Sequence, residues 1–297
     1  MSWRPSGVFV ANVTPFNDDG SLDMAGLAAH LEWLADAGVQ GLVPCGTTGE
    51  APTLSREERS VVLRAAVSVA RARGLKVIAG CGGNDTRVVL ELMREAAELG
   101  CDAALVVTPY YNKPTQAGLV AHYLALADRG ALPVVLYHVP GRTAVTLAIE
   151  TVATLFAHPR ILGLKEASGQ YGYWTRLTAE LPLAEKALLA GDDDAVAVIL
   201  ALGGCGVISA SANVAPRHFV RLYEAAASGD WERAFAIQKS LLPLVGAMFL
   251  ETNPAPAKRA LAMLGRGTGA LRLPLVPVGG VTEAALSAVV AGLELEL

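Results

Sequence analysis

Short runs of apolar and β-branched residues recur along the chain, and between them the apolar positions fall at helical spacing. The runs cover 8–13, 41–46, 76–82, 103–109, 133–139, 161–167, 186–192 and 206–211, and their starts lie 20 to 35 residues apart. Runs apolar at every position, rather than alternating, suit strands covered on both faces, as in parallel sheets. Ser55 and Glu58 form an SxxE capping box that opens a helix to about Ala72. A second helical stretch, 91–99, stops at Gly100, and Asp85, Thr146 and Asp193 are expected to start others. Eight strand–helix units predict an α/β fold, a closed (β/α)8 TIM barrel over 1–229. An open doubly wound sheet is the alternative, because strand count does not prove closure. The remaining 68 residues, 230–297, read as a C-terminal helical appendage. It holds helices from Trp231 to Leu250, interrupted at Pro243, over 257–264, and over 282–293.

Composition narrows the class. The chain has 297 residues, enough for two average domains or one barrel. Lys and Arg total 24 against 28 Asp and Glu, a net charge of −4, so the basic footprint of a nucleic-acid binder is absent. A hydrophobic share of 53% supports a large core. Cys45, Cys81, Cys101 and Cys205 lie far apart without a CxxC pair, which argues for a reducing compartment and against a zinc finger. The run 8–13 is too short for a signal segment, and 195–208 is broken by Gly203 and Gly204, so no membrane span is expected. These features predict a soluble cytoplasmic protein.

Barrel chemistry gathers at the C-terminal ends of strands. Of six lysines, Lys76 and Lys186 start strand runs, Lys113 is in a loop, and Lys239 and Lys258 fall in the terminal helices. Only Lys165 lies within a run, and strict alternation puts it on one face with Ile161 and Gly163. A lysine turned into a barrel is desolvated, which favours the neutral amine that attacks a ketone to form a Schiff base. A structural ion pair is the rival reading. Thr47 and Thr48 sit in a glycine-bracketed turn suited to a carboxylate or to turn chemistry alone. Tyr137 ends the preceding strand and reads as a proton carrier or a core residue, and Arg142 suits a substrate carboxylate or a surface ion pair. The run Asp192–Asp194 fits a helix N-cap better than a metal site, and Cys45 reads as a small buried residue.

Taken together, Gly46-Thr-Thr-Gly-Glu50, Thr108-Pro-Tyr-Tyr-Asn112, Gly163-Leu-Lys-Glu166, Ala190-Gly-Asp-Asp193 and Gly206-Val-Ile-Ser209 resemble the pyruvate-dependent class I lyases of the dihydrodipicolinate synthase and N-acetylneuraminate lyase superfamily. Val139-Pro-Gly-Arg-Thr143, Thr252-Asn-Pro254 and Arg272-Leu-Pro274 bring the likeness closest to the synthase branch. The resemblance implies condensation of pyruvate with aspartate semialdehyde through an imine on Lys165. It implies a proton relay of Tyr137, Thr47 and Tyr111, with Tyr111 reaching in from a neighbouring subunit. By the same likeness Thr48 holds the pyruvate carboxylate, Arg142 receives the aldehyde's carboxylate, and Gly191 and Ile208 line the site with backbone groups. It further implies a homotetramer, no metal and no cofactor beyond the covalent imine, with pyruvate and an aldehyde as the small-molecule partners. An aldolase or dehydratase of the same superfamily, acting on a 2-keto-3-deoxy sugar acid or hydroxy-oxoglutarate, stays open, as do a keto-acid-binding barrel and a phosphosugar isomerase. His138 stands where the synthases usually carry Asn, which bears on substrate detail. In lysine-inhibited relatives the effector site carries a histidine and a glutamate. Here Arg56 and Val88 stand in their places while Asn84 and Tyr110 are retained, so lysine inhibition is expected to be weak or absent.

Overall fold

Each of the eight apolar runs forms a strand in the computed structural model, which describes residues 3–292. In chain order the elements are β1 (Gly7–Val10), α1 (Met24–Asp36), β2 (Gly41–Leu42), α2 (Arg56–Arg73), β3 (Lys76–Gly80), α3 (Thr86–Glu98) and β4 (Ala103–Val107). Next come α4 (Gln116–Arg129), β5 (Val134–His138), α5 (Pro140–Thr143), α6 (Ile149–Phe156), β6 (Ile161–Glu166), α7 (Tyr171–Glu180) and β7 (Ala187–Ala190). The barrel ends with α8 (Val196–Ala201), β8 (Gly206–Ser209) and α9 (Pro216–Ala227). The strands are parallel and closed in sequence order, β8 pairing with β1 in the register Gly7↔Gly206. Closure removes the open-sheet alternative. After the barrel follow α10 (Trp231–Met248), α11 (Ala255–Met263) and α12 (Gly280–Gly292); Leu293, the expected end of the last helix, lies outside the described residues. Among the described residues no helix is long and apolar enough to cross a membrane.

Two hydrophobic layers form on opposite faces of the strands. Inside the barrel pack Phe9, Val43, Ile78, Leu105, Val135, Leu162, Leu189 and Ile208. Outside, the other strand faces and the helices share one continuous cluster. Leu241, Leu244, Met248 and Leu261 of the terminal helices belong to that cluster, so α10 and α11 extend the barrel's own core. α10 packs on α8, α9 and α12.

The capping box holds as expected. Ser55 Oγ accepts from the Glu58 N–H, and Glu58 accepts from the Ser55 N–H. Four local expectations need correction. Thr146 does not cap a helix; α6 starts at Ile149, and Gln116 supplies the cap from α4. Its Oε1 accepts from the Ala148 N–H and the Thr151 hydroxyl, and its Nε2 donates to the Thr146 carbonyl. Asp193 opens a 3₁₀ turn that runs directly into α8, but it does not cap it; its buried carboxylate accepts from the Ser211 N–H at 2.7 Å. Pro243 does not interrupt α10, because it lies on the exposed face while Leu241, Leu244 and Val245 bury the other. The cost of the missing N–H is met by that packing.

Strict alternation also fails within β6. The register slips at Val134/Val135, where Ile161 and Gly163 become successive partners. Ile161 and Leu164 therefore face the outer layer, and Leu162 faces inward. Gly163 is the residue that can lie flat there, since a Cβ would stand 2.1 Å from the Ala187 carbonyl oxygen. The bulge resets the phase so that Lys165 points inward, although Ile161 does not.

Candidate active site

A cavity of about 210 Å³ opens at the C-terminal mouth of the barrel. Lys165 reaches it from β6, Tyr137 from β5, and Thr47 and Thr48 from the turn after β2. Arg142 reaches it from α5 and Gly191 from the end of β7. Tyr137 and Lys165 are direct register partners, and Lys165 Nζ stands 4.3 Å from the centre of the Tyr137 ring. The lysine is only 6% exposed, yet no carboxylate among the described residues forms an ion pair with it. That counts against the structural ion pair as its purpose. Arg142 is exposed at the rim and likewise makes no ion pair among the described residues.

The loops after β2, β4 and β5 carry every left-handed non-glycine residue described: Cys45, Glu50, Tyr111, Lys113 and Ala144. Such backbone costs about 1–3 kcal/mol per residue and persists where the surroundings enforce it. Several hydrogen bonds do so. Thr14 Oγ1 donates to the Gly49 carbonyl, and the Glu50 N–H closes the turn on Thr47. Thr108 Oγ1 donates to Thr143 Oγ1, which pins α5 and Arg142 to the end of β4. Glu50 is buried and takes Lys258 Nζ and the Arg272 N–H, while the Arg272 guanidinium forks onto Glu58 and the Gly20 carbonyl. Lys258 is thus a terminal-helix residue, as expected, but a buried one.

Tyr111, expected to serve a neighbouring subunit, stays out of its own cavity, and Ile208 departs from the expected lining. Tyr111 is 89% exposed and turned away from its own cavity, while Tyr110 lines the wall. Ile208 is fully buried in the inner apolar layer, and Ala210, one strand period further on, lines the cavity. Gly191 matters by what it lacks: a Cβ there would stand 3.0 Å from Lys165 Cε.

His138 is corrected outright. It follows Tyr137, so it lies on the opposite face of β5, with no exposure, in the layer between barrel and helices. Its Nδ1 bonds Glu166 Oε2 at 2.6 Å, and Glu166 Oε1 accepts from the Ser168 N–H and Trp174 Nε1. The departure from Asn falls in the scaffold, outside the residues that line the cavity.

Three carboxylates in a row take three fates. Asp192 lines the cavity, and burial, then the nearby charges of Asp194 and Glu166, raises its pKa to about 6. Asp193 is buried on Ser211, and Asp194 is exposed. Among the described residues no three His, Cys, Asp or Glu side chains are grouped to hold a metal ion. Burial pushes the Cys45 thiol up to about 12, so it stays protonated beside the cavity.

The sequence reading missed Asn253 and Phe249, which bring the terminal helices to the cavity wall. Thr252-Asn-Pro254 was visible as a motif but carried no role. A second cleft shares Cys45, Ala51, Pro52 and Tyr110 with the cavity and is lined by Arg56, Arg59, Val88 and Glu91. Arg56 lies 3.6 Å from both Glu91 and Glu95, and Arg59 is buried with its Nε unpartnered.

Residues 4–292 match the Dihydrodipicolinate synthetase family. The chain is 47% identical over 280 residues to the 4-hydroxy-tetrahydrodipicolinate synthase of Methanothrix thermoacetophila, covering 94% of each chain. The dihydrodipicolinate synthase of Thermotoga maritima superposes with a TM-score of 0.94 at 38% identity, over 98% of this chain and 99% of that one. The chloride-inhibited dihydrodipicolinate synthase of Acinetobacter baumannii, solved with pyruvate, gives 0.93 at 40% identity, over 96% and 98%.

Proposed function

The chain belongs to the Dihydrodipicolinate synthetase family, and from that membership we propose how its cavity works. The activity is that of a lyase, 4-hydroxy-tetrahydrodipicolinate synthase, which joins pyruvate to L-aspartate 4-semialdehyde. Lys165 Nζ attacks the ketone carbon of pyruvate, water leaves, and an imine forms. Loss of a methyl proton gives the enamine, whose carbon attacks the aldehyde. The amino group of the second substrate then closes the ring on the imine carbon and frees Lys165. Tyr137 and Thr47 pass protons in these steps, with Tyr111 supplied by a neighbouring subunit of a cytoplasmic homotetramer. Thr48 holds the pyruvate carboxylate, and Arg142 at the rim takes that of the aldehyde. The backbone at Gly191 shapes the wall.

One observation carries this reading. Lys165 is turned into the mouth of the barrel against Tyr137, almost fully buried and with no carboxylate among the described residues at ion-pair distance. An amine held against a phenol in an enclosed cavity, with no ion pair to occupy it, is placed for nucleophilic work on a ketone. The test is trapping. Borohydride added with pyruvate leaves a stable adduct on Lys165, and Lys165→Ala stays unlabelled. An adduct on any other lysine overturns the mechanism.

A further inference from the structure

The terminal helices touch the cavity through one polar side chain. Asn253, in the link between α10 and α11, is 4% exposed and lines the wall. Its Nδ2 donates to Thr48 Oγ1 at 2.9 Å. A threonine hydroxyl has one proton to give and lone pairs to receive with. With Oγ1 occupied as an acceptor, the Thr48 proton is directed elsewhere, and no hydrogen bond described has Thr48 Oγ1 as donor. We infer that Asn253 is a positioning residue: it fixes the Thr48 hydroxyl as a donor into the cavity, where it meets the carboxylate of the 2-oxo acid. The inference rests on the imine reading above and deepens it.

Two further features support it. Asn253 Oδ1 is buried and unpartnered beside the cavity, whereas an asparagine serving only to tie two segments together is expected to use its carbonyl too. The reversed amide would accept the Thr48 proton and leave the cavity without a donor, so the orientation decides the function. The contact is also stiff. Five residues after Asn253, Lys258 holds Glu50, two residues after Thr48, so one short segment grips the turn at two points.

The experiment measures the pyruvate concentration that half-saturates borohydride trapping on Lys165 in the full chain, with Tm as the folding control. Asn253→Asp keeps the shape but offers an acceptor, which consumes the Thr48 proton and adds a negative charge. It should raise the half-saturating concentration by about 10–100-fold, the scale of a lost hydrogen bond to a charged group. Asn253→Leu frees the hydroxyl to rotate and should raise it by roughly 3–10-fold. In a Thr48→Val background Asn253→Leu should add less than about twofold, because the effect runs through the hydroxyl. Wild-type half-saturation in Asn253→Asp, or a full Asn253→Leu effect on top of Thr48→Val, overturns the inference. If Asn253→Leu does not fold, the near-isosteric Asn253→Asp decides. Failure of the wild-type protein to trap pyruvate strikes the imine reading instead.

Discussion

Gly191→Ala is the sharpest steric test of the site. An added Cβ would stand 2.8 Å from Ala167 Cβ, 2.8 Å from the Glu166 carbonyl oxygen and 3.0 Å from Lys165 Cε. Comfortable carbon contacts begin at about 3.5 Å, so something must yield by roughly 0.5–1 Å. The first two atoms belong to the end of β6 and the residue after it, and the Gly191 N–H is bonded to that same Glu166 carbonyl at 2.6 Å. The lysine stem has rotatable bonds and yields first. A displacement of about 1 Å at a reacting atom costs on the order of 10²-fold in rate. Overpacking of this size costs about 1–3 kcal/mol of stability. The variant should therefore fold, with Tm lowered by roughly 2–12 °C for a chain of this size, and lose about 100-fold in kcat. Single-turnover borohydride trapping reads imine formation directly, and a coupled assay reads kcat. Gly172→Ala is the control, since a Cβ there meets nothing within 4 Å. A Gly191→Ala enzyme within about threefold of wild type in both assays would show that the Lys165 stem has slack and that the argument is wrong.

Other expectations follow from the same geometry. Arg142→Ala should raise KM for the aldehyde by about 10–100-fold and leave that for pyruvate nearly unchanged; equal shifts in both would make Arg142 structural. L-lysine should not half-inhibit below about 1 mM, because the second cleft presents two guanidinium groups, and its one carboxylate, Glu91, is paired with Arg56; a lower value would refute this. Burial holds the pKa of both His30 and His122 down to about 4. Unfolding therefore takes up protons below about pH 6.5, and stability should fall from there toward pH 4, with Asp192, raised to about 6, working in the opposite direction. His122→Gln should flatten that acid limb by up to about 1.4 kcal/mol per pH unit, read from Tm at pH 7, 6 and 5; an unchanged limb would count against a neutral buried His122.

What could be read in the chain and what could not divide along physical lines. Strands covered on both faces announce themselves as unbroken apolar runs, so all eight were visible, and Lys165 stood out because so few lysines compete with it. Contacts between distant segments leave no such mark. Gln116 capping α6, Asn253 meeting Thr48, and Lys258 meeting Glu50 each depend on how finished elements pack. Phase within a strand is similarly invisible when the neighbour sets it. The slip lies between β5 and β6 at Gly163, where the Ala187 carbonyl of β7 leaves no room for a Cβ, and it alone reverses the side of Ile161. His138 shows the opposite limit, since adjacency to Tyr137 in sequence meant the far face in space.

The closure of β8 onto β1 also governs how the molecule is made. Val8 leaves the ribosome some two hundred residues before its partner Val207. At about 5–20 residues per second that is a wait of roughly 10–40 s, during which a growing sheet carries two open edges. The turn bearing Thr48 waits longer still, for Asn253. A chain halted between β8 and the link from α10 to α11 would hold Lys165 in a closed barrel and still lack Asn253, so pyruvate binding gains its full strength only after the barrel itself is made.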